Sequence, residues 1–300
     1  MVSTMKLKAE DDKSLDQLPS YIWINGEFVE NKNAKLHAMT HSLHYSGAVF
    51  EGERAYNGKI FKLDEHVERL INSAKDMRLK INYSADEIIK AHNELLIKNN
   101  VGDAYIRPLI WRGDESLNLV NNALSTNLLI ASVPSSIRKS IPLKLHVGKW
   151  CKPPINSLPP QVKGSGHYAM ALVTLEDAIE LGYDDALLLD YRGYIAECTA
   201  TNIFFVKGDE LITPIADAFL NGITRLTIIE LAKTLGIKTK EQYITLDQLK
   251  EYDGCFLTGT ASEIKLVNSI YVDDFKENFA FEEYSIGDLL KKEYANLVRK

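Results

Sequence analysis

Cysteine is scarce in this sequence. Its three copies, Cys151, Cys198 and Cys255, are odd in number and form no CxxC pair, which argues against a disulfide framework or a zinc knuckle. No apolar run approaches the roughly 18 residues of a membrane span, so none is expected. The polar opening, residues 1–18, lacks an apolar signal core and reads as a frayed tail. Cationic excess is missing as well. Lys and Arg number 35 against 41 Asp and Glu, a net charge of -6, and a chain without a basic face suits nucleic acid poorly. These absences together describe a reduced, cytoplasmic protein.

A more local gap stands out. Between Ser116 and Leu175 there is no Asp or Glu, yet Arg138, Lys139, Lys144, Lys149, Lys152 and Lys163 are present. Such a stretch leaves room for anionic ligands; a polar loop-and-strand segment would read the same way.

What is present indicates a mixed α/β chain. At 300 residues it exceeds what one compact core usually serves, so two domains are expected. Asn25-Gly26 between β-prone runs predicts a hairpin over Tyr21–Val29. A second strand pair is predicted around Ala48–Phe50 and Lys59–Lys62. Val67, Leu70, Ile71, Ala74 and Met77 recur at helical spacing, with Asp64 as the N-cap. Ser84 and Glu87 form a capping box for a second helix. Strands follow at Ala104–Trp111 and Asn127–Val133. Pro134–Pro142, with two prolines and three serines, is the expected linker. The predicted division is a smaller α+β domain over 19–133, a linker at 134–142 and a larger mixed domain over 143–300. Within the latter, a strand at Leu143–Val147 precedes an irregular segment, Cys151–Gly166. A helix from His167 to Gly182, two hairpins, a helix from Gly222 and a helix capped near Ser285 complete it.

Several residues could carry chemistry. Lys163 stands among Pro159, Pro160, Val162 and Gly164, just before a mostly apolar helix, and is a candidate for Schiff-base chemistry; an exposed loop lysine is the alternative. Glu197 interrupts an apolar strand and needs a cationic or donor partner, either structural or on a ligand. Gly222-Ile-Thr-Arg225 is a helix start suited to an anion, and Gly259-Thr-Ala-Ser-Glu263 is a second turn of that kind. Arg107, inside an apolar strand, suits a carboxylate or a neighbouring acid. His41 and His44 lack carboxylate or cysteine company, so no metal is expected.

In order and spacing these pieces resemble the branched-chain amino acid aminotransferases, fold type IV enzymes that use pyridoxal 5'-phosphate. The matching segments are His41–Arg54, Glu65–Leu70, Tyr105–Leu109, Lys163, Gly193–Asn202, Leu220–Arg225 and Gly259–Glu263. The resemblance implies a two-domain fold type IV architecture and ping-pong transfer of an amino group. The substrates would be branched-chain L-amino acids, glutamate and the corresponding 2-oxo acids. Lys163 would hold the cofactor covalently and, once freed, would move the proton between substrate Cα and cofactor C4′. Glu197 would keep the pyridine nitrogen protonated. Arg69, Ile223, Thr224 and Thr260 would hold the phosphate, and Tyr168 the ring hydroxyl. Tyr45, Phe50, Gly52, Tyr105, Thr260 and Ala261 would shape the side-chain pocket, with Arg107 meeting the second carboxylate of glutamate. At least a homodimer is implied.

The chain departs from the family pattern at Gly164–His167, just before Tyr168, and at Val133-Pro-Ser135, where an aromatic is common. Both bear on side-chain preference. The alternatives within fold type IV are a D-amino acid aminotransferase and an aminodeoxychorismate lyase. Tyr105–Leu109 and Phe50–Arg54 weigh against them. A cofactor-free binding protein on the same fold is the alternative outside catalysis.

Overall fold

The computed structural model describes residues 20–120, 123–135 and 141–300. The opening tail, 1–18, and the middle of the expected linker, 136–140, lie outside them. The described chain divides into two compact units. One comprises residues 20–120, 123–135 and Val162–His167, and the other comprises residues 141–161 and 168–300.

The first unit is built on one antiparallel sheet. β1 (Tyr21–Ile24) and β2 (Glu27–Glu30) form the hairpin predicted from Asn25-Gly26. Both turn residues have positive φ, 49° and 97°, as a type I′ turn requires. A short helix α1 (His41–Tyr45) precedes β3 (Ala48–Phe50), β4 (Glu53–Tyr56) and β5 (Lys59–Ile60). β3 does not pair with the 59–62 segment as the sequence suggested. Both β3 and β4 pair with β6 (Ala104–Arg112), and β5 pairs with β4.

The two strands share one register, Phe50 facing Leu109 and Glu53 facing Ile106. Glu51 N–H donates to Pro108 O at 3.0 Å, but proline has no N–H to return. The ladder therefore breaks at Glu51-Gly52, in the stretch that carries the site. β7 (Thr126–Pro134) joins β6 to β1, giving the order β2-β1-β7-β6-β4-β5.

Helices α2 (Leu63–Asp76) and α3 (Ala85–Asn99) cover this sheet. Val67, Leu70 and Ala74 on α2, with Ile88, Leu95 and Leu96 on α3, bury the stripe that the 3.6-residue period defines. Truncating one such leucine to alanine costs about 2–5 kcal/mol. Ser84 and Glu87 make the predicted capping box. The cap of α2 is Lys62, in the left-handed region and with no side-chain capping bond to the helix, and not Asp64. Asp64 instead lies in the first turn, where its charge suits the helix dipole.

The second unit holds a mostly antiparallel sheet. Its strands are β8 (Leu143–Val147), β9 (Asp185–Leu189), β10 (Ile195–Cys198), β11 (Asn202–Lys207), β12 (Glu210–Pro214), β13 (Lys238–Gln242), β14 (Gly254–Gly259), β15 (Glu263–Val272) and β16 (Glu277–Ala280). The order is β10-β9-β8-β15-β14-β11-β12-β13, with β16 on β15. The pairs β8/β9, β8/β15 and β12/β13 are parallel. Helix α4 begins at His167 and runs to Glu180; α5 (Ile223–Thr234) packs on β13 and β14, and α6 (Ser285–Leu297) on β14 and β15. Ile203, Phe205, Leu257, Val267 and Ile270 centre its core.

Two sequence expectations change here. Gly259–Glu263 opens no helix; it is the turn joining β14 to β15, closed by the Gly259–Glu263 pair. α6 is capped at Tyr284 without a side-chain bond, so Ser285 is no cap.

Candidate active site

In the first unit, Lys163, Phe50, Gly52, Tyr105 and Arg107 gather at the broken ladder. Lys163 lies on Val162–His167, which is hydrogen-bonded to β3. Phe50 N–H donates to Lys163 O at 3.1 Å, Ser165 N–H donates to Ala48 O at 3.0 Å, and Val49 bridges Gly164. Lys163 N–H donates to Ser73 Oγ of α2 at 3.2 Å. Its Nζ stands 5.1 Å from the centre of the Phe50 ring, and the Arg107 guanidinium carbon lies 4.5 Å from the same ring. An amine and a guanidinium thus share one aromatic ring. Arg107 Nη2 donates to Tyr105 Oη at 2.5 Å, while its Nε is buried with no hydrogen-bond partner among the described residues. Gly52 is what lets this hydroxyl close in. A Cβ there would sit 2.4 Å from Tyr105 Oη.

Arg69, on α2, is fixed by a group that the sequence analysis did not single out. Glu51 is fully buried and accepts from Arg69 Nε at 2.6 Å, Arg69 Nη2 at 2.8 Å and His66 Nδ1 at 2.8 Å. Burial alone would raise the Glu51 carboxyl, but Arg69 and His66 outweigh it and hold it down at about 2. Arg69 Nη1 is left buried, without a partner among the described residues. Tyr45 keeps different company. It is 46% exposed, its ring lies against His41, and its hydroxyl donates to Leu117 O at 3.0 Å. None of these partners is a predicted pocket residue. His41 is buried with Nε2 against Asn118 O. Among the described residues no group of three His, Cys, Asp or Glu side chains is placed to hold a metal.

In the second unit, Glu197 on β10 finds the partners that burial demands. Lys152 Nζ donates to its Oε1 at 2.7 Å and Asn202 Nδ2 to its Oε2 at 3.1 Å. Lys152 is itself buried and pinned by its N–H to Leu189 O at 2.8 Å. Burial pulls its ammonium down, but Glu197, with a smaller contribution from Tyr168, leaves it raised above the ordinary lysine value. Tyr168, in the first turn of α4, therefore lies within electrostatic reach of the same cation.

Ile223 and Thr224 form the first turn of α5, whose N-terminus no side chain caps. The preceding loop is braced from two sides. Gln161 donates to Ala216 O and Phe219 O, both at 2.9 Å, and accepts from Asn221 N–H at 3.1 Å. The fully buried Arg225 donates to Asn221 Oδ1 and Pro214 O, both at 2.8 Å. Thr260 and Ala261 are half-buried in the β14–β15 turn. Thr258 Oγ1 and Thr201 Oγ1 are buried hydroxyls without partners among the described residues. Cys198, fully buried beside Glu197, has its thiol pushed up by burial and is no nucleophile.

The residues 48–270 match the family model of amino-transferase class IV. A "Probable branched-chain-amino-acid aminotransferase" of Rickettsia felis is 57% identical over 289 residues, covering 95% of this chain and 98% of that protein. The chain belongs to the branched-chain aminotransferases of class IV. Two solved members of the family superimpose on it. The branched-chain aminotransferase of Thermoproteus uzoniensis, with norvaline, has a TM-score of 0.87 at 32% identity over 93% of this chain and 95% of its own. That of Thermobaculum terrenum, a holo-form with PLP, has a TM-score of 0.85 at 31% identity over 94% of this chain and 95% of its own. The architecture is fold type IV, as the sequence resemblance implied, and the cofactor of this aminotransferase is pyridoxal 5'-phosphate.

The residues present suit that group. In the first unit Arg69 keeps an orphaned guanidinium nitrogen, and in the second, taken by itself, the uncapped helix start at Ile223-Thr224 leaves backbone donors; each is a kind of donor that suits a phosphate. Glu197, with both oxygens oriented, offers an acceptor to a ring N–H. Glu51, His66, Lys152 and Gln161 escaped the sequence reading because each acts through another residue. Glu51 carried a signal, as a carboxylate in the apolar run Ala48-Val-Phe-Glu51, and Lys152 stood out only as one of the bases in the acid-free stretch.

Proposed function

We propose that this chain transfers the amino group of leucine, isoleucine or valine to 2-oxoglutarate, and runs the reverse reaction, in two half-reactions that alternate on one cofactor. The observation that carries the reading is the pairing of Lys163 Nζ and the Arg107 guanidinium on the Phe50 ring. One supplies an amine for carbonyl and proton chemistry, and the other a fork for a carboxylate. Bound pyridoxal 5'-phosphate supplies an electron sink that stabilises negative charge at substrate Cα.

Each side chain then has one task. Lys163 Nζ holds the cofactor and afterwards carries the proton to and from Cα. Glu197 keeps a proton on the ring nitrogen. Arg69 Nη1, Ile223, Thr224 and Thr260 bind the phosphate, and Tyr168 the ring hydroxyl. Phe50, Gly52, Tyr105 and Ala261 shape an apolar pocket for a branched chain, and Arg107 meets the side-chain carboxylate of glutamate in that same pocket. The enzyme works in the cytoplasm as a homodimer or a larger homo-oligomer, to be read by light scattering. No described helix is long and apolar enough to cross a membrane.

Coupled assays of L-leucine with 2-oxoglutarate test the reading. Turnover of that pair supports it, and activity confined to D-alanine overturns it. Borohydride should bleach the visible band of the yellow holoenzyme and leave a pyridoxyl adduct on Lys163. Lys163→Ala should lose the adduct and at least about a hundredfold in turnover.

A further inference from the structure

Glu197 owes its setting to a side chain that reaches well beyond it. Asn202 is 5% exposed and spends its whole amide. One Nδ2 hydrogen goes to Glu197 Oε2 at 3.1 Å and the other to Leu220 O at 3.0 Å, while Oδ1 accepts Gly222 N–H at 3.2 Å. A single amide therefore spans from the acid on β10 to the cap residue of α5. Its backbone is fixed by the sheet, where Asn202 opposes Thr258. Its far end admits no larger neighbour, because a Cβ on Gly222 would sit 2.2 Å from Oδ1. Lys152 holds the other carboxylate oxygen.

We infer that Asn202 is a positioning residue that sets the separation between Glu197 and the start of α5, so that the ring-nitrogen and phosphate contacts of the cofactor stay in register. The inference rests on the cofactor roles proposed above. A rigid ligand with two anchoring points gains fully from the second only when the spacing is preset. Truncating Asn202 removes neither contact. It removes the bond that ties their positions together, leaving Glu197 to Lys152 alone and Gly222 N–H without its acceptor.

The test compares the affinity of apoenzyme for pyridoxal 5'-phosphate with that for pyridoxal, which has the ring and lacks the phosphate. The ratio of the two dissociation constants reads how much the phosphate adds once the ring is seated. In Asn202→Ala this ratio should fall by roughly tenfold, the scale of one or two hydrogen bonds, with the far-ultraviolet circular dichroism unchanged. Asn202→Asp keeps an acceptor for Gly222 N–H but sets a second carboxylate against Glu197, so it should weaken pyridoxal itself. A variant with a lowered melting temperature and an unchanged ratio would show a structural role only and overturn the inference. If Asn202→Ala does not fold, Asn202→Ser is read in the same way. A wild-type protein that binds neither ligand would sink the underlying reading instead, and the borohydride adduct on Lys163 separates the two failures.

Discussion

His92 Nε2 stands 3.1 Å from Glu53 Oε2, and both side chains are wholly buried between α3 and β4. Burial pulls the His92 imidazole down, but Glu53 outweighs it and the group is raised above its ordinary value. A histidine raised by folding contributes stability that is complete below its unfolded value near 6.5 and is lost as pH climbs through the folded value. The wild-type melting temperature should therefore decline on going from about pH 6 to about pH 9, and His92→Gln should flatten that slope. Parallel slopes in calorimetry would refute the pair's contribution.

The clamp of Glu51 on Arg69 works in the opposite direction. A carboxylate held at about 2 contributes stability above its unfolded value, and loses it as pH falls through the folded one. The affected window runs from about 4.5 down to about 2. Glu51→Gln leaves Arg69 and His66 without a charged partner in a buried site, a cost of roughly 3–5 kcal/mol. Denaturant melts near neutral pH measure that loss. The variant should also release cofactor more readily, because nothing then aims the Arg69 fork.

Arg107 separates the two substrates that share one pocket. Arg107→Met should raise KM for 2-oxoglutarate by roughly 10- to 100-fold, the worth of a charge-assisted pair. KM for leucine should change far less, since Phe50 and Tyr105 remain. Equal effects on both substrates in steady-state kinetics would count against a role in carboxylate recognition.

Gly222→Ala tests the approach of Asn202 from the other side. Its new methyl would sit 2.2 Å from Asn202 Oδ1, so one of them must shift. Cofactor should dissociate faster from this variant, followed by decay of the visible band on dilution.

Much of this was legible in the sequence. Asn25-Gly26 dictates its turn because few residues accept positive φ twice in succession, and Ser84 with Glu87 announces a helix because each satisfies the other's backbone. The partners of buried groups were not legible. Glu197 advertised that it needed a cation, but Lys152 lies 45 residues away and is joined to it only by the fold. Lys62 as a left-handed cap, and the β14–β15 turn at Gly259–Glu263, were misread because Asp64 and Gly-Thr fit a helix start equally well in one dimension.

Pro108 has a consequence that reaches past the strand it interrupts. The gap opposite it follows from a missing hydrogen on a strand whose register is otherwise unbroken, so no movement of side chains can supply the absent bond. Alanine at this position would restore the donor and allow the ladder to zip through Glu51 and Gly52. The carboxylate that aims Arg69 and the glycine that admits Tyr105 would then be drawn into ordinary strand geometry. An imino acid thereby keeps a length of backbone exempt from the sheet around it.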